Sequence, residues 1–552
     1  MDYVSEHSPD WLLGYNCFQF DNQHLAYFAP RRWASCFHLV ASATPGDRGP
    51  ACIITIPGCF NVDLMAYLDK TRRNKFTNLS LSVVARETNA GEKIALGSGH
   101  GAGDRYALLE YNLNDSALCV GIWDACSIWI ELVGLSAAMH SCTIDVGRYA
   151  TGVMSSALIT SWYCHRGIPV PFTSLREPQP FGGAEVIAPK AGLWENVAVV
   201  DFTSLYPTVM AGANMGFESI RVCRVVVPKR GPMNVAIGWD DERVTFVFGD
   251  STVVFARNPP SEVTSIVKYM IEQRGLVRKG TPEHFSYKVA TNSIYGAMGF
   301  NRSAMYAPDL AQCVPAGGRW LLAFAEAVFK TCGLEVLYGD TDSCFVSGPA
   351  ERSTNGARFS AGDVLTIINL VLDYTPFSMS KLRMEATYDR MVIVGKKAYY
   401  GTKEGSVHIA GISAIRKDRP ALIRSMVYDI VDTLLKAPPC EIAQGVGGAA
   451  GVAVSLAMRG TLPVELVSKI VRYRGEDCYA YFAPGGALVY RPVATTDPSA
   501  PVEFDAAKVC ASIDKEVQRH CGAVGYQFLS QVMAIANFRA DALVGMSSLI
   551  SA

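Results

Sequence analysis

The chain has 552 residues, of which 49% are apolar and 18% charged, with a formal net charge of -1 and 16 cysteines. That length suits roughly three to four domains with sizeable cores, and the near-zero charge excludes a uniformly basic coat, so contact with a polyanion must come from local patches. No C-x-x-C pair occurs, which argues against zinc ribbons and a disulfide framework and for reduced thiols.

Asp2 and Glu6 stand where a secretory signal needs basic residues, so no such signal is expected. The first patterned stretch, Gly14-Tyr15-Asn16-Cys17-Phe18-Gln19-Phe20-Asp21, reads as a strand or turn giving onto a helix. Tyr111 to Asp115 opens a long apolar-periodic segment running through Met139. On a helix Tyr111 and Asp115 share a face, although a capping Asp in a first turn is the simpler reading. Residues 136–180 read as helix plus loop, closed by Pro169, Pro171, Pro178 and Pro180.

After Gly182-Gly183-Ala184-Glu185, a Val-rich strand Val197 to Val200 leads into Asp201-Phe202-Thr203-Ser204-Leu205-Tyr206-Pro207. An aspartate at the end of such a strand is held rigidly at a sheet edge. Residues 218–258 alternate in a strand-like way, with strands expected at Ile220 to Val227, Val244 to Phe248 and Val253 to Ala256, and Pro259-Pro260 ends them. A helix from Val263 to Lys279 would place Arg274 and Arg278 one turn apart, and a second helix would align Lys288, Asn292 and Tyr295 at i, i+4 and i+7. Two antiparallel helices carrying two Arg and a Lys suit a polyphosphate clamp, with solvated surface cations as the alternative.

Leu334 to Val346 reads as two short buried strands meeting at the turn Tyr338-Gly339-Asp340-Thr341-Asp342-Ser343, with Gly339 and Asp340 supplying the turn residues. Two carboxylates this close repel unless a cation lies beside them, and Mg²⁺ is bound by one or two carboxylates plus substrate phosphates. Asp201 is the natural third acid. A helix from Asp363 to Leu372 follows, then a strand from Val392 to Gly401 bearing Lys396, Lys397 and Tyr399, which suits a phosphate contact. Between Lys381 and Asp429 ten Lys or Arg face five Asp or Glu, including Arg416-Lys417-Asp418-Arg419. Beyond Gly411 the chain reads as mainly helical to about residue 472; the uncharged run Ile442 to Met458 is Gly-rich and contains Gln444, so no membrane span is expected. Tyr479 to Tyr490 reads as strand and Ala506 to His520 as helix.

The ordered set Asp201-Phe-Thr-Ser-Leu-Tyr-Pro, Lys288-x-x-x-Asn292-Ser-x-Tyr295-Gly, Tyr338-Gly-Asp-Thr-Asp-Ser and Lys396-Lys-Ala-Tyr resembles the family B DNA-dependent DNA polymerases. Gly14-Tyr15-Asn16 to Asp21 is similar to the second motif of that family's 3′-5′ exonuclease, and Tyr111-x-x-x-Asp115 to its third. The resemblance implies a mixed α/β and α+β multidomain fold, with an RNase H-like exonuclease remnant before a right-hand polymerase. Its expected divisions are a partial exonuclease-like domain at 1–135, a connecting segment at 136–194, palm at 195–260, fingers at 261–300, palm again at 301–405 and thumb at 406–552. The spellings are closest to the replicative branch of cells and large DNA viruses.

By that resemblance Asp201, Asp340 and Asp342 are the catalytic acids. Asp201 and Asp342, with the Phe202 carbonyl, would hold two Mg²⁺ ions, or Mn²⁺ in their place. Ser204, Leu205, Tyr206, Arg274, Arg278, Lys288, Asn292 and Tyr295 would form the deoxynucleoside triphosphate pocket, Tyr206 excluding a 2′ hydroxyl. Lys396, Lys397 and Tyr399 would track the DNA; Asn16, Asp21, Tyr111 and Asp115 would be the exonuclease remnant. Implied partners are primed template DNA and deoxynucleotides, together with a processivity factor and an N-terminal polymerase half; no membrane is implied. The expected location is the nucleus or cytoplasm of a cell, virus-infected or not, without secretion.

Four departures from the family pattern stand out. No Asp-x-Glu precedes Gly14, so no proofreading is expected from this chain alone. Arg274 and Lys288 are close in sequence, implying a short fingers hairpin of about two turns per arm. Ala398 and Ala410 stand where Arg and Lys are common, implying a weaker primer grip. No C-terminal Cys clusters occur. The alternative readings are a non-catalytic DNA-binding scaffold or half of a split polymerase and, least favoured, a nuclease using Asp21 and Asp115.

Overall fold

The computed structural model describes residues 6–40, 51–72, 76, 79–94, 105–148, 151–172, 177–179, 181–224, 235–249, 251–347, 359–412, 419–473, 476–493 and 496–524. Pro180 and Arg416-Lys417-Asp418, singled out above, lie outside them. The chain divides into two compact units, one of residues 1–181 and 213–314, the other of 182–212 and 315–552. The segment 195–260 is therefore divided after Gly212, its second part belonging to the first unit.

In the first unit, strand Trp11–Gly14 pairs in parallel with Phe60–Asp63. The Asp63 carboxylate accepts backbone N–H bonds from Asn16 at 2.9 Å, Phe18 at 3.0 Å and Ala66 at 3.1 Å, so one buried acid fixes the turn after Gly14 and caps the helix Leu64–Arg72. The long apolar segment is two helices, Arg105–Ala125 and Ile128–Met139, because the chain turns at Ser127 with φ 51°. Arg72 secures that break, donating to the Cys126 carbonyl at 3.0 Å and pairing with Glu131, which also accepts from Tyr67 at 3.1 Å. Tyr111 and Asp115 thus lie inside a helix, not in a first turn.

The alternating stretch forms a four-stranded antiparallel sheet in the order Ile220–Arg224, Ser251–Ala256, Arg243–Phe248, Val235–Trp239. Its last strand had no clear signal, since Gly238 and Trp239 interrupt the β-branched pattern. The helix Glu262–Leu276 starts on Ser261, whose hydroxyl accepts from Thr264 N–H; Pro282–Gly299 starts on Thr281, which accepts from His284 N–H. These arms have 15 and 18 residues, about four and five turns, so the hairpin is longer than expected. The first arm ends at Leu276, and Arg278 stands in the connecting turn instead of on the helical face of Arg274.

The second unit is built on a seven-stranded antiparallel sheet whose strands, in chain order, are β1 Val186–Ile187, β2 Gly192–Phe202, β3 Glu335–Asp340, β4 Ser343–Ser347, β5 Leu382–Gly395, β6 Ala398–Lys403 and β7 Ser406–Ala410. Their spatial order is β7-β6-β5-β2-β4-β3-β1. Central β2 is buried on both faces through Val197 to Val200, which is why it reads as a continuous apolar run instead of an alternation. One face is lined by Val197, Val199, Tyr338, Phe345 and Ile393. Helices Ala421–Lys436, Pro439–Met458 and Ala506–Val524 share a core with Val392, Ala398 and Tyr400.

Among the described residues one helix, Cys440–Met458, is long and apolar enough by length and composition to cross a membrane, and half of that window is buried. Its apolar stripe Ile442, Val446, Ala450, Ala453 and Ala457 is buried in that shared core. Gly445 lets the neighbouring helix approach, since a Cβ there would lie 2.6 Å from Thr433 Cγ2. Among the described residues the cysteines, Cys223 aside, are free thiols.

Candidate active site

Three segments of the second unit converge at one end of its sheet. β2 delivers Asp201 beside Ser343 of β4 on one side and Arg383 of β5 on the other. Phe202 N–H donates to the Asp342 carbonyl at 2.9 Å, tying the end of β2 to the β3–β4 turn. The turn itself is Thr341-Asp342, because Asp340 and Ser343 are still paired and Thr341 has φ 60°. Gly339, expected in the turn, is a strand residue pressed on β1; a Cβ there would lie 2.7 Å from Ile187 Cδ1.

Asp340 is engaged by residues of its own strand and turn. Its carboxylate accepts from Tyr338 Oη at 3.0 Å and Thr341 Oγ1 at 3.1 Å, with Lys397 Nζ 3.5 Å away. Tyr338 and Asp340 are two positions apart on one strand and so project to the same face. Among the described residues no three Asp, Glu, His or Cys side chains converge as a metal cage. Asp201 and Asp342 on adjoining segments offer instead an open set of hard oxygen donors, which suits a cation that completes its shell with water and substrate oxygens.

After Asp201 the chain turns at Ser204, φ 53°, into the helix Leu205–Gly212. The helix Cys313–Thr331 packs against it through glycines: a Cβ on Gly317 would meet Val209 Cγ1 at 2.5 Å, and one on Gly318 would meet Tyr206 Cε1 at 3.2 Å. The half-buried Tyr206 phenol is raised above its ordinary pKa by burial and by the Asp342 carboxylate, with Arg319 opposing. Arg319 also donates to the Gly182 carbonyl at 3.2 Å and to that of Gly183. It was not singled out from the sequence, although Gly-Gly-Arg at 317–319 was a visible signal.

Lys396 and Lys397 occupy the β5–β6 turn and not a strand; Lys397 has φ 56° and its N–H donates to Tyr338 Oη at 3.0 Å. Tyr399 on β6 packs edge-on against Phe345 at 4.9 Å, and burial first, then nearby Tyr388, raises its phenol to about 12. Ala398 is 2% exposed within the helical core, so a long cationic side chain has no room there.

In the first unit Arg274 Nε donates to His284 Nε2 at 3.2 Å. Burial pushes the His284 imidazole down, and so do the charges of Arg274, Lys279 and Lys288. Lys279 therefore extends the cation cluster read from the sequence, with His284 as a neutral acceptor within it. Lys288 and Asn292 lie on the exposed side of their helix, with Tyr295 partly buried. Arg278 contributes its carbonyl, which accepts from Thr281 N–H at 3.3 Å and from Thr281 Oγ1 at 3.0 Å.

Among the residues expected to form an exonuclease remnant, Asn16 has φ 60° in the turn before the helix Asp21–Phe28, and Asp21 is exposed at its start. Asp115 pairs with Lys93 at 2.8 Å, and Lys93 Nζ also lies 4.7 Å from the centre of the Tyr111 ring.

Comparison with known proteins fits this architecture. The fold resembles that of the family B DNA polymerase from the hyperthermophilic archaeon Pyrobaculum calidifontis, with a TM-score of 0.60 at 19% identity over 95% of this chain and 71% of that one. The sequence profile described as DNA polymerase family B matches residues 148–459, more than half of the chain, which therefore belongs to that family. It is 28% identical over 273 residues to a DNA polymerase of Archaeoglobus fulgidus, covering 47% of this chain and 31% of that protein. It is 27% identical over 278 residues to DNA polymerase 1 of Saccharolobus solfataricus, covering 48% and 29% respectively. The chain thus spans less than a third of the length of these two relatives.

Proposed function

We propose that the chain is a template-directed DNA polymerase, adding deoxynucleoside triphosphates to a primer 3′ end in DNA replication. The observation that carries this reading is the junction of Asp201 and Asp342, locked by the 2.9 Å bond from Phe202 N–H to the Asp342 carbonyl. Asp201, Asp342 and the Phe202 carbonyl would hold divalent metal, Mg²⁺ or Mn²⁺. When bound, such ions supply charge neutralisation at the attacking and leaving oxygens of an in-line displacement.

The chain's own residues do the rest. Asp340, held by Tyr338, Thr341 and Lys397, positions the turn that presents Asp342. Ser204 and Leu205 shape the entry to the helix that carries Tyr206, whose ring bears on the sugar and disfavours a 2′ hydroxyl. Arg274 and Lys288 grip the triphosphate, with Arg278 acting from the turn, while Asn292 and Tyr295 border the nascent pair. Lys396 and Lys397 contact primer phosphates from a turn, which suits backbone tracking and not base readout; Tyr399 supports that turn from within the sheet. A processivity factor and an N-terminal polymerase half are the proposed protein partners.

The test is primer extension by the purified chain on primed template with Mg²⁺ and four deoxynucleotides, alongside Asp342→Ala and a 3′-mismatched primer. Extension that disappears in Asp342→Ala, with the mismatch left untrimmed, supports a polymerase without proofreading of its own. Binding of primed DNA with no extension favours the scaffold or the half-enzyme. Buried Ala398, where a primer-gripping cation has no room, is the observation on that side.

A further inference from the structure

The acid Asp115 lies on a helix in the first unit, and its surroundings differ from those of Asp201 and Asp342. Lys93 Nζ sits 2.8 Å from Asp115 Oδ2 and 4.7 Å from the Tyr111 ring centre, so one ammonium engages both residues of the Tyr111-x-x-x-Asp115 face. The lysine is not a wandering surface side chain. Neighbouring Asn114 clamps the backbone on either side of it, its Oδ1 accepting from Ile94 N–H at 3.1 Å and its Nδ2 donating to the Glu92 carbonyl at 3.4 Å. The Lys93 and Asp115 side chains are 26% and 25% exposed, so water screens the pair only partly.

We propose that Lys93 is a built-in counter-ion that takes the place of a divalent metal at Asp115, so that this face of the N-terminal region binds no Mg²⁺ or Mn²⁺. Asp115 Oδ1 is buried and has no hydrogen-bond partner among the described residues, and it is the oxygen a metal would have to use. An ion there would stand within a few ångströms of the ammonium on Oδ2 and be repelled by it. The inference stands independently of the polymerase reading, since Lys93, Asn114 and Asp115 belong to neither the sheet nor the hairpin discussed above.

The experiment uses the full chain carrying Asp201→Asn and Asp342→Asn, which removes the other proposed metal site. Mn²⁺ binding is read by electron paramagnetic resonance and melting temperature by calorimetry. In this parent no bound Mn²⁺ is expected, and added Mn²⁺ should leave the melting temperature unchanged. Adding Lys93→Met strands the carboxylate, lowers the melting temperature and allows Mn²⁺ to raise it again; Lys93→Arg keeps the parent behaviour. Mn²⁺ bound by the parent and lost with Asp115→Asn overturns the proposal. So does a folded Lys93→Met variant that gains no response to Mn²⁺.

Discussion

Tyr338 Oη bridges two turns, donating to Asp340 Oδ2 at 3.0 Å and accepting from Lys397 N–H at 3.0 Å. The strand carrying the paired acids is thereby fixed to the lysine turn 59 positions further along the chain. Asp340 serves as the anchor of that bridge, with Lys397 Nζ 3.5 Å from the same oxygen.

Tyr338→Phe keeps the ring packed against Phe345 and removes only the hydroxyl. A typical net hydrogen bond is worth about 0.5–1.5 kcal/mol, and somewhat more with a charged partner. Losing two should lower primer-extension kcat/KM about 10-fold, since each 1.4 kcal/mol is a factor of ten. The unfolding midpoint should fall modestly. Equal activity in Tyr338→Phe and wild type would remove the bridge from the argument.

Gly339 is needed for space. A Cβ there would lie 2.7 Å from Ile187 Cδ1 and 3.2 Å from the Ser343 carbonyl oxygen, so β1 or the turn must shift. Gly339→Ala should cost about 1–3 kcal/mol, the usual range for overpacking. Ile187→Ala in the same chain should return part of it, because the nearer clash is with that flexible end. Denaturant midpoints of the two singles and the double decide whether the pair is coupled.

The features that were legible in the sequence are those set by local pattern. Val197 to Val200 announces a strand buried on both faces, and a carboxylate at its end falls at the sheet edge. Asp340 to Ser343 announces a turn, though its true corner is two residues later than glycine statistics suggest, because Gly339 is retained for close approach to Ile187. Lys396-Lys397 reads as strand because apolar residues flank it on both sides, while only a positive φ at Lys397 marks the corner. Arg278 reads as helical because the apolar period runs through Val277, where the backbone is in fact extended. The Tyr338 bridge and the Asn114 clamp on Lys93 join residues distant in sequence, so neither spacing nor composition carries them.

Gly411 is tied to the same lysine turn. Its φ is +64°, and a Cβ would lie 1.7 Å from the Lys397 carbonyl oxygen, a backbone atom that cannot swing aside. Gly411→Ala combines strain with a clash and should cost at least about 2–3 kcal/mol. Primer extension should fall further than stability alone accounts for, since the turn that presents Lys396 and Lys397 is displaced. Titration with denaturant, followed by extension assays well below the midpoint, separates the two effects.

His520 makes stability depend on pH. It is fully buried on the helix Ala506–Val524, with Nδ1 3.2 Å from Tyr400 Oη and Nε2 3.8 Å from Glu516 Oε2. Burial, with a smaller push from Arg519, lowers its pKa from 6.5 to about 3. Between those values the unfolded chain binds the proton and the folded one does not, so stability rises with pH across the window and is lost as pH falls from about 6.5 toward 3. At pH 5 the difference amounts to about 2 kcal/mol. His520→Gln should therefore flatten the acid limb of the stability curve between pH 6.5 and 4, at the expense of some packing at neutral pH. An unchanged slope in that variant would assign the acid sensitivity to carboxylates instead.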